Sequence, residues 1–444
     1  MSEPSDPNER PARWRNWTGD QLCTPAALER PRSVEELSAA LVRAGSRGSR
    51  VRAVGAGHSF SEIACSEDTL VSLQRMADVL DVDGSSGLVR VQAGITIGAL
   101  SERLDAHGLA MENLGDIDAQ SIAGAISTAT HGTGARLANI SSQVAELTLA
   151  LADGSTLVCS AEREPEVFGA ARVGLGALGV IAEIALRCVP AFTLRGVDEP
   201  APLAQTLERF EALSLGNDHF EFFVFPYADV ALTRTNNRTD EQARPRGRLA
   251  AYANDVLLTN HAFGVACRLA RRVPRAIPQI NRLVTRLAGR SVRVERSASI
   301  FASPRLVRFT EMEYALPRER TPEAVRRVIE MVERRGLAVP FPIEVRTAAP
   351  DDAFLSTATG RETGYVAVHM FEGMRWRPYF EAVEAIMDEL DGRPHWGKRH
   401  FQTAATLRAR YPDWDRFQAV RARVDPTGVF ANAWTDRVLG KAGA

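Results

Sequence analysis

Lysine is almost missing from this chain: of its 54 basic residues only Lys398 and Lys441 are lysines, and the rest are arginines. Genomic base composition is the favoured reading of that bias, which leaves Lys398 as the one lysine well inside the sequence. Net charge is missing too. The 54 basic residues face 55 acidic ones, for −1 overall, which excludes a globally basic nucleic-acid binder and a highly charged disordered chain. The five cysteines (Cys23, Cys65, Cys159, Cys188, Cys267) are odd in number, scattered, and form no CxxC pair. They point to inert thiols in a reducing compartment rather than a disulfide framework or a thiolate zinc site, and no metal is expected. No apolar run is long enough to span a bilayer. The N-terminal MSEPSDPNERPARW lacks the apolar core of a signal peptide. The expectation is a soluble, cytoplasmic protein. Its 444 residues correspond to roughly two to three domains and suffice to bury about 75 % of the unfolded surface without staples.

What is present is a mixed pattern of helices and strands. Residues 1–12 read as a tail rich in Pro, Ser and charge. Pro31 and Ser33 open a helix with Val34, Leu37, Ala40, Leu41 and Ala44 on its apolar side. A strand at Val51–Val54 runs straight into Gly55-Ala56-Gly57-His58-Ser59, short strands follow near Thr69–Leu73 and Leu88–Gln92, and Gly94–Gly108 reads as a helix. From Ala119 to Ala135 there is no charged side chain and small residues dominate, ending in Thr130-His131-Gly132-Thr133-Gly134. Such a segment is either a tightly packed helix or backbone laid against a flat ligand, and its ending favours the ligand. Glu146–Leu151 and Thr156–Cys159 form a hairpin. Beyond Pro190, strands are expected at Phe220–Phe225, Phe309–Tyr314, Ile343–Thr347 and Tyr365–His369, with helices at Glu323–Arg335 and Arg377–Leu390. Between Arg244 and Arg296 lie 12 arginines and two acids. The amphipathic middle of that stretch, Val256–Val273, suits either a solvated basic face or an acidic membrane surface.

Gly174-Leu175-Gly176-Ala177-Leu178-Gly179 matches GxGxxG letter for letter. A dinucleotide fold needs a strand before those glycines and a helix after them. Here Glu164–Ala171 reads as helix and Val180–Val189 as a half-buried strand, so the order is reversed and a nicotinamide cofactor is disfavoured. The first glycine loop has Phe60 where a third glycine would stand. Backbone N–H groups after a strand end still make a phosphate nest, with His58 at its tip.

Six segments now stand in order: VRAVGAGHSFSEIA, SIAGAISTATHGTG, VGLGALGVI, IEVR, GRPHWGKRH and DPTGVFAN. Together, from about Arg13 to Leu439, the chain resembles the sugar-1,4-lactone oxidoreductases, a family of vanillyl-alcohol-oxidase-like flavoproteins. The resemblance implies an α+β, two-domain, PCMH-type FAD-binding fold with an antiparallel-sheet substrate cap. The FAD domain would take residues 13–190, the cap 191–400, and 401–444 would return to the FAD domain. It implies that FAD lies along Gly55, Ala56, Gly57, His58 and Ser59, along Ser121, Gly124, Thr128, His131 and Gly132, and against Gly179, Val180 and Ile181. It also implies a covalent bond between His58 and the flavin 8α-methyl. Relatives that tether flavin twice use a cysteine in the segment matching Gly115–Gly134; this chain has none between Cys65 and Cys159, so one tether at most is expected.

Glu344 and Arg346, one residue apart on a strand, project to the same face, where a carboxylate beside a guanidinium can grip vicinal hydroxyls or form a plain ion pair. By resemblance they and Lys398 are the catalytic residues, with Arg346 near the flavin N1–C2 carbonyl edge. Lys398 would stabilise negative charge on substrate and flavin, and His369 would line the substrate pocket. Phe371 stands where alditol oxidases carry a threonine, which favours a lactone ring over a linear polyol. The expected reaction is oxidation of an aldono-1,4-lactone at C2, with electrons passing to O2 or a cytochrome- or quinone-type carrier. An alditol oxidase, a nicotinamide-dependent reductase of the same fold and a non-catalytic flavin- and sugar-binding protein are the alternatives. No nucleic-acid partner is expected, and the basic stretch 244–296 is a candidate peripheral membrane contact.

Overall fold

In the computed structural model, residues 13–244, 261–302 and 306–442 are described. The expected tail at 1–12 and residues 245–260 of the basic stretch, with the start of its amphipathic middle, lie outside the described residues.

Among the described residues the N-terminal half builds two larger sheets, beside the two-stranded pairings of Trp14–Arg15 with Leu22–Cys23 and of Leu109–Ala110 with Val189–Pro190. A three-stranded parallel sheet holds Ala27–Glu29, Thr69–Ser72 and Val51–Val54 in that spatial order. A five-stranded antiparallel sheet runs Thr156–Ser160, Val144–Ala150, Val180–Arg187, Leu88–Gln92, Val79–Asp83. Helix Val34–Ser46 starts where Ser33 caps it, the Ser33 side chain accepting from the Glu36 N–H, and buries Leu37, Ala40, Leu41 and Ala44. The helix expected from Gly94 begins at Ile97, because the Thr96 side chain accepts from the Ala99 N–H and sets the cap there. The reversed order around GxGxxG holds: helix Pro165–Ala171 precedes the glycines and strand Val180–Arg187 follows them. The C-terminal residues Trp414, Phe417, Trp434 and Val438 bury into the same core as Leu37, Leu100 and Leu147.

The second half builds one eight-stranded sheet, ordered Ser291–Arg296, Thr193–Pro202, Val230–Thr239, His219–Val224, Ile343–Ala348, Thr363–Phe371, Phe309–Pro317, Arg393–Pro394, with every pairing antiparallel. One face packs on helices Thr321–Arg335 and Arg377–Asp388. There Met312, Tyr314, Val345, Val366 and Val368 meet Val325, Val328, Val332 and Phe380. Fully burying such side chains contributes roughly 1.5–3 kcal/mol each. The alternate positions Glu311, Glu313, Glu344, Arg346 and His369 are buried too, on the opposite face. A one-residue slip of register would drive those charges into the apolar layer, at several kcal/mol per ion. The pattern therefore fixes the register. No helix among the described residues is long and apolar enough to cross a membrane.

Candidate active site

The strand Val51–Val54 delivers the loop Gly55–Ser59 into a cleft of about 970 Å³, open mouth included. Gly55 approaches Ser121 so closely that a Cβ would overlap the Ser121 hydroxyl, and Gly57 takes φ +71°, a conformation costly for any other residue. Among the described residues, the amide N–H groups of Gly55, Ala56, Gly57, His58 and Ser59 donate to no protein acceptor. That row is an anion nest of the kind that binds diphosphate. The turn Gly174–Gly179 forms the far wall, with Leu175 held at φ +55°. Arg52 supports it from behind: its guanidinium donates to Ile63 O, Gly176 O, Phe430 O and Leu175 O at 2.7–2.9 Å.

A second cleft of about 1000 Å³ lies between the two halves, and His58, Ser59, Gln120 and Thr128 line both. His58 thus stands at the junction. Burial, then the nearby Lys398 charge, holds its pKa below the ordinary imidazole value. Its Nδ1 is buried without a partner in the described protein. A glycine cradle, a row of free amides and an orphaned imidazole nitrogen on one continuous cleft fit a dinucleotide flavin.

The cap sheet supplies the second cleft's charged floor. Across neighbouring strands, Phe223, Glu344, Ala367 and Glu313 form one row and His369 and Glu311 the next. The small Ala367 leaves space between two carboxylates. Glu344 Oε1 lies 2.5 Å from Arg346 Nη2, whose guanidinium is further held by Glu221 Oε2 at 2.7 Å and by Asp116. Lys398 Nζ lies 2.5 Å from Glu311 Oε2, and His369 Nε2 lies 3.6 Å from Glu311 Oε1 and 3.8 Å from Glu344 Oε2. His369 Nδ1 pairs with Pro342 O at 3.0 Å.

The carboxylates divide by environment. Burial pushes Glu344 up to about 7, Arg346 opposing and the Asp116 and Glu221 charges adding to the rise. Burial also acts to raise Glu311, yet Lys398 and His369 hold it below the ordinary carboxylate value. Burial acts to lower Lys398, but Glu311 and Glu313 keep it above its usual value, so it is an ammonium. His395 is pushed down to about 3 by burial. Its Nδ1 accepts from the Gly397 N–H at 3.1 Å, which leaves the neutral ring protonated at Nε2.

The structure brings Glu344, Arg346, Lys398 and His369 into one cleft, and Gly55, Ala56, Gly57, His58, Ser59, Ser121, Gly124, Thr128, Gly179 and Ile181 into the other. Three expected cofactor residues lie outside the cleft that holds the glycine loop. His131 lines the cap-side cleft, stacked on Tyr365 at 3.5 Å with Nε2 3.2 Å from Glu313. Gly132 packs against Leu114 and Asn113, where a Cβ would collide with both. Val180 is buried in the core of the first half. The segment 131–134 belongs to the join between the halves: Gly134 N–H donates to Thr347 O at 2.9 Å and Thr133 Oγ1 to Phe220 O at 2.5 Å. Phe371 also sits away from the cleft, 6.3 Å behind Phe341, so it has no direct part in choosing between lactone and polyol.

Sequence reasoning missed Asp116, Glu221, Glu311, Glu313 and His395. Glu311 and Glu313 carried a signal, the same one-residue spacing as Glu344 and Arg346 on an expected strand. Asp116 and Glu221 carried none, since only tertiary folding brings them to Arg346.

A two-domain scaffold with a diphosphate nest, an unpartnered histidine and a charged second cleft defines a flavin-dependent oxidoreductase. Residues 184–438 match the D-arabinono-1,4-lactone oxidase family and residues 25–160 an FAD binding domain. The chain is 52 % identical over 427 residues to an L-gulono-1,4-lactone dehydrogenase of Mycobacterium tuberculosis, covering 96 % of this chain and 99 % of that one. It is 34 % identical to the L-gulonolactone oxidase of Bos taurus and 32 % identical to the alditol oxidase of a Streptomyces species, each over 96 % of this chain and 98 % of the other. A Brevibacterium sterolicum cholesterol oxidase superposes with a TM-score of 0.81 at 17 % identity, covering 99 % of each chain, a likeness of fold alone. The chain belongs to the sugar-1,4-lactone oxidoreductase family.

Proposed function

We propose that this flavoprotein oxidises a neutral aldono-1,4-lactone, L-gulono-1,4-lactone or a close relative, at C2. The 2-keto lactone formed enolises to an ascorbate-type acid, and electrons leave to O2 or to a cytochrome- or quinone-type carrier. One observation carries the reading: Glu344, Arg346 and Lys398 line a single cleft that opens onto the diphosphate nest at His58. Bound FAD would supply the hydride acceptor, held by the amides of Gly55–Ser59 and the turn Gly174–Gly179.

The chain's own residues then bind, orient and move a proton. Glu344, poised near neutrality, accepts the proton of the C2 hydroxyl. Arg346 is locked by Glu221 and Asp116, so it holds Glu344 in place as well as offering donors to substrate oxygens. Lys398 spends one of its three N–H donors on Glu311 and keeps the others for the oxygen on which charge develops. Glu344 and Arg346 are buried, which strengthens these interactions by lowering the local dielectric. Anaerobic mixing with a panel of lactones and polyols tests the assignment. L-gulono-1,4-lactone is expected to bleach the flavin and xylitol to leave it oxidised; bleaching by xylitol alone would make it an alditol oxidase. Reoxidation by air against cytochrome c then identifies the acceptor.

We further infer that His58 carries the flavin covalently. Its orphaned, buried Nδ1 supports this, and acid precipitation checks it: a yellow pellet is expected, a colourless one leaves FAD bound without a bond.

The basic helices support a peripheral membrane contact. Phe263–Arg272 and Ile277–Leu287 expose Val265, Leu269, Leu283 and Leu287 beside Arg268, Arg272, Arg282 and Arg286, while the second helix turns Asn281 inward to Pro226 O and Val339 O. Leucines outward and an asparagine inward suit an anionic lipid surface. Co-sedimentation with phosphatidylglycerol but not phosphatidylcholine vesicles is the expected result. The five free thiols support a reducing, cytoplasmic compartment.

A further inference from the structure

A small N-terminal hairpin, Trp14–Arg15 paired with Leu22–Cys23, lies outside both family-matched segments. Its connecting turn is clamped onto the loop that carries His58. Trp17 N–H donates to Gly57 O at 2.8 Å and Asn16 Nδ2 to Ser59 O at 3.1 Å, so the carbonyls of the residues on either side of His58 are both held from the hairpin. Gln21 Nε2 adds a 3.3 Å bond to Phe60 O.

The turn is itself rigid. Buried Asn16 accepts from the Gln21 N–H at 3.0 Å and donates to Thr18 Oγ1 and Asp20 Oδ1 at 2.8 Å. Asp20 pairs with Arg399, the neighbour of Lys398. On this support the Trp17 indole stacks over the His58 imidazole, with centroids 5.7 Å apart and planes 25° from parallel. Phe309 abuts the indole edge-on at 5.8 Å. Backbone bonds on both sides and an aromatic face against the ring leave His58 little freedom, and its Nδ1 has no competing hydrogen bond.

We propose that Trp17 is a positioning residue for attachment of the flavin, fixing the plane of the His58 imidazole so that a free ring nitrogen is presented for bond formation. This rests on the reading of His58 as the tether. In that step a C–H bond of the 8α-methyl loses its proton, the imidazole nitrogen forms the N–C bond, and the imidazole N–H proton is released. The electron pair left behind reduces the flavin by two electrons, which pass on to O2 or another two-electron acceptor. A neutral imidazole is the competent nucleophile. Burial and Lys398 favour that form here.

The test compares wild type, H58A, W17A and W17F as full-length proteins, measuring total FAD, acid-stable flavin, thermal stability, and the rate at which FAD added to apoprotein becomes acid-stable. The expected result is full FAD content in W17A with at least a tenfold slower formation of acid-stable flavin, largely restored in W17F, and none in H58A. Wild type with no acid-stable flavin would overturn the tether and this role together. Acid-stable flavin forming in W17A at the wild-type rate would overturn the positioning role alone. So would a loss in W17A and W17F alike that follows melting temperature and total FAD, since that marks a residue needed only for folding.

Discussion

Lys398 Nζ lies 2.5 Å from Glu311 Oε2 and 5.0 Å above the Phe60 ring, so the one lysine well inside the chain is fixed on two sides within the cleft. A preorganised charge of this kind is typically worth about 2.7–4 kcal/mol of transition-state stabilisation. K398M is therefore expected to slow anaerobic flavin reduction by a lactone roughly 10²–10³-fold while FAD content stays normal. E311Q removes the larger of the carboxylate charges that keep Lys398 protonated against burial. The alkaline limb of the flavin-reduction profile should then move to lower pH by roughly 1–3 pH units. An unchanged limb in E311Q would mean that Lys398 is not the group titrating.

Glu344 gives a second pH signature. A base pushed up to about 7 by burial must be ionised to take the hydroxyl proton, so flavin reduction should fall as pH drops through neutrality. E344Q should lose that limb along with roughly 10²–10⁴ in rate. Stability runs the other way. A carboxyl whose folded pKa lies above its unfolded value of 4.5 stabilises fully below that value and loses the contribution as pH rises toward 7. At pH 8, E344Q should be more stable than wild type by up to about 3 kcal/mol, with the difference vanishing near pH 4. Urea unfolding at the two pH values measures it.

Arg52 is the structural counterpart on the flavin side. Two of its four carbonyl contacts hold Leu175 and Gly176, both in left-handed backbone, against the strand that leads to the nest, and the other two reach Ile63 and Phe430. R52M would strand those carbonyls at roughly 1–3 kcal/mol each, a large share of a domain's total stability. The apoprotein should melt several degrees lower, and excess FAD should recover part of the loss by binding only the folded state. Melting curves with and without FAD decide it; apo R52M melting like wild type would show that the turn stands without its support.

These relationships were legible in the sequence to different depths. Glu344 and Arg346 could be placed on one face from their spacing alone, and Lys398 stood out because lysine is otherwise absent from the interior of the chain. Glu311 and Glu313 have the same alternation in FTEMEY, yet acids alternating with apolar residues read as a solvent-facing edge unless a second domain is known to cover that face. Asp116 and Glu221 are 105 residues apart, and no local period links them to Arg346. The glycines misled in one place: Gly132 and Gly134 look like more of the phosphate nest, but close packing between the two halves explains them. Small residues answer to any tight approach, whether of a ligand or of another stretch of backbone.

The balance of charge in the cleft also selects the form of the substrate. Asp116, Glu311, Glu313 and Glu344 line it against the fixed cations Arg346 and Lys398, and both cations are already engaged by carboxylates. Two like charges 4 Å apart repel by about 4 kcal/mol at the effective dielectric of a protein surface, so an added carboxylate meets repulsion from acids that already offset the charge of both cations. A lactone ring carries no charge; the aldonate produced by its hydrolysis does. L-gulono-1,4-lactone should therefore bleach the flavin at least a hundredfold faster than L-gulonate at the same concentration. Because the charges are buried, raising the salt should close little of that gap. Equal rates for the two forms, or a gap that disappears in high salt, would show that the substrate carboxylate is not repelled by these four acids.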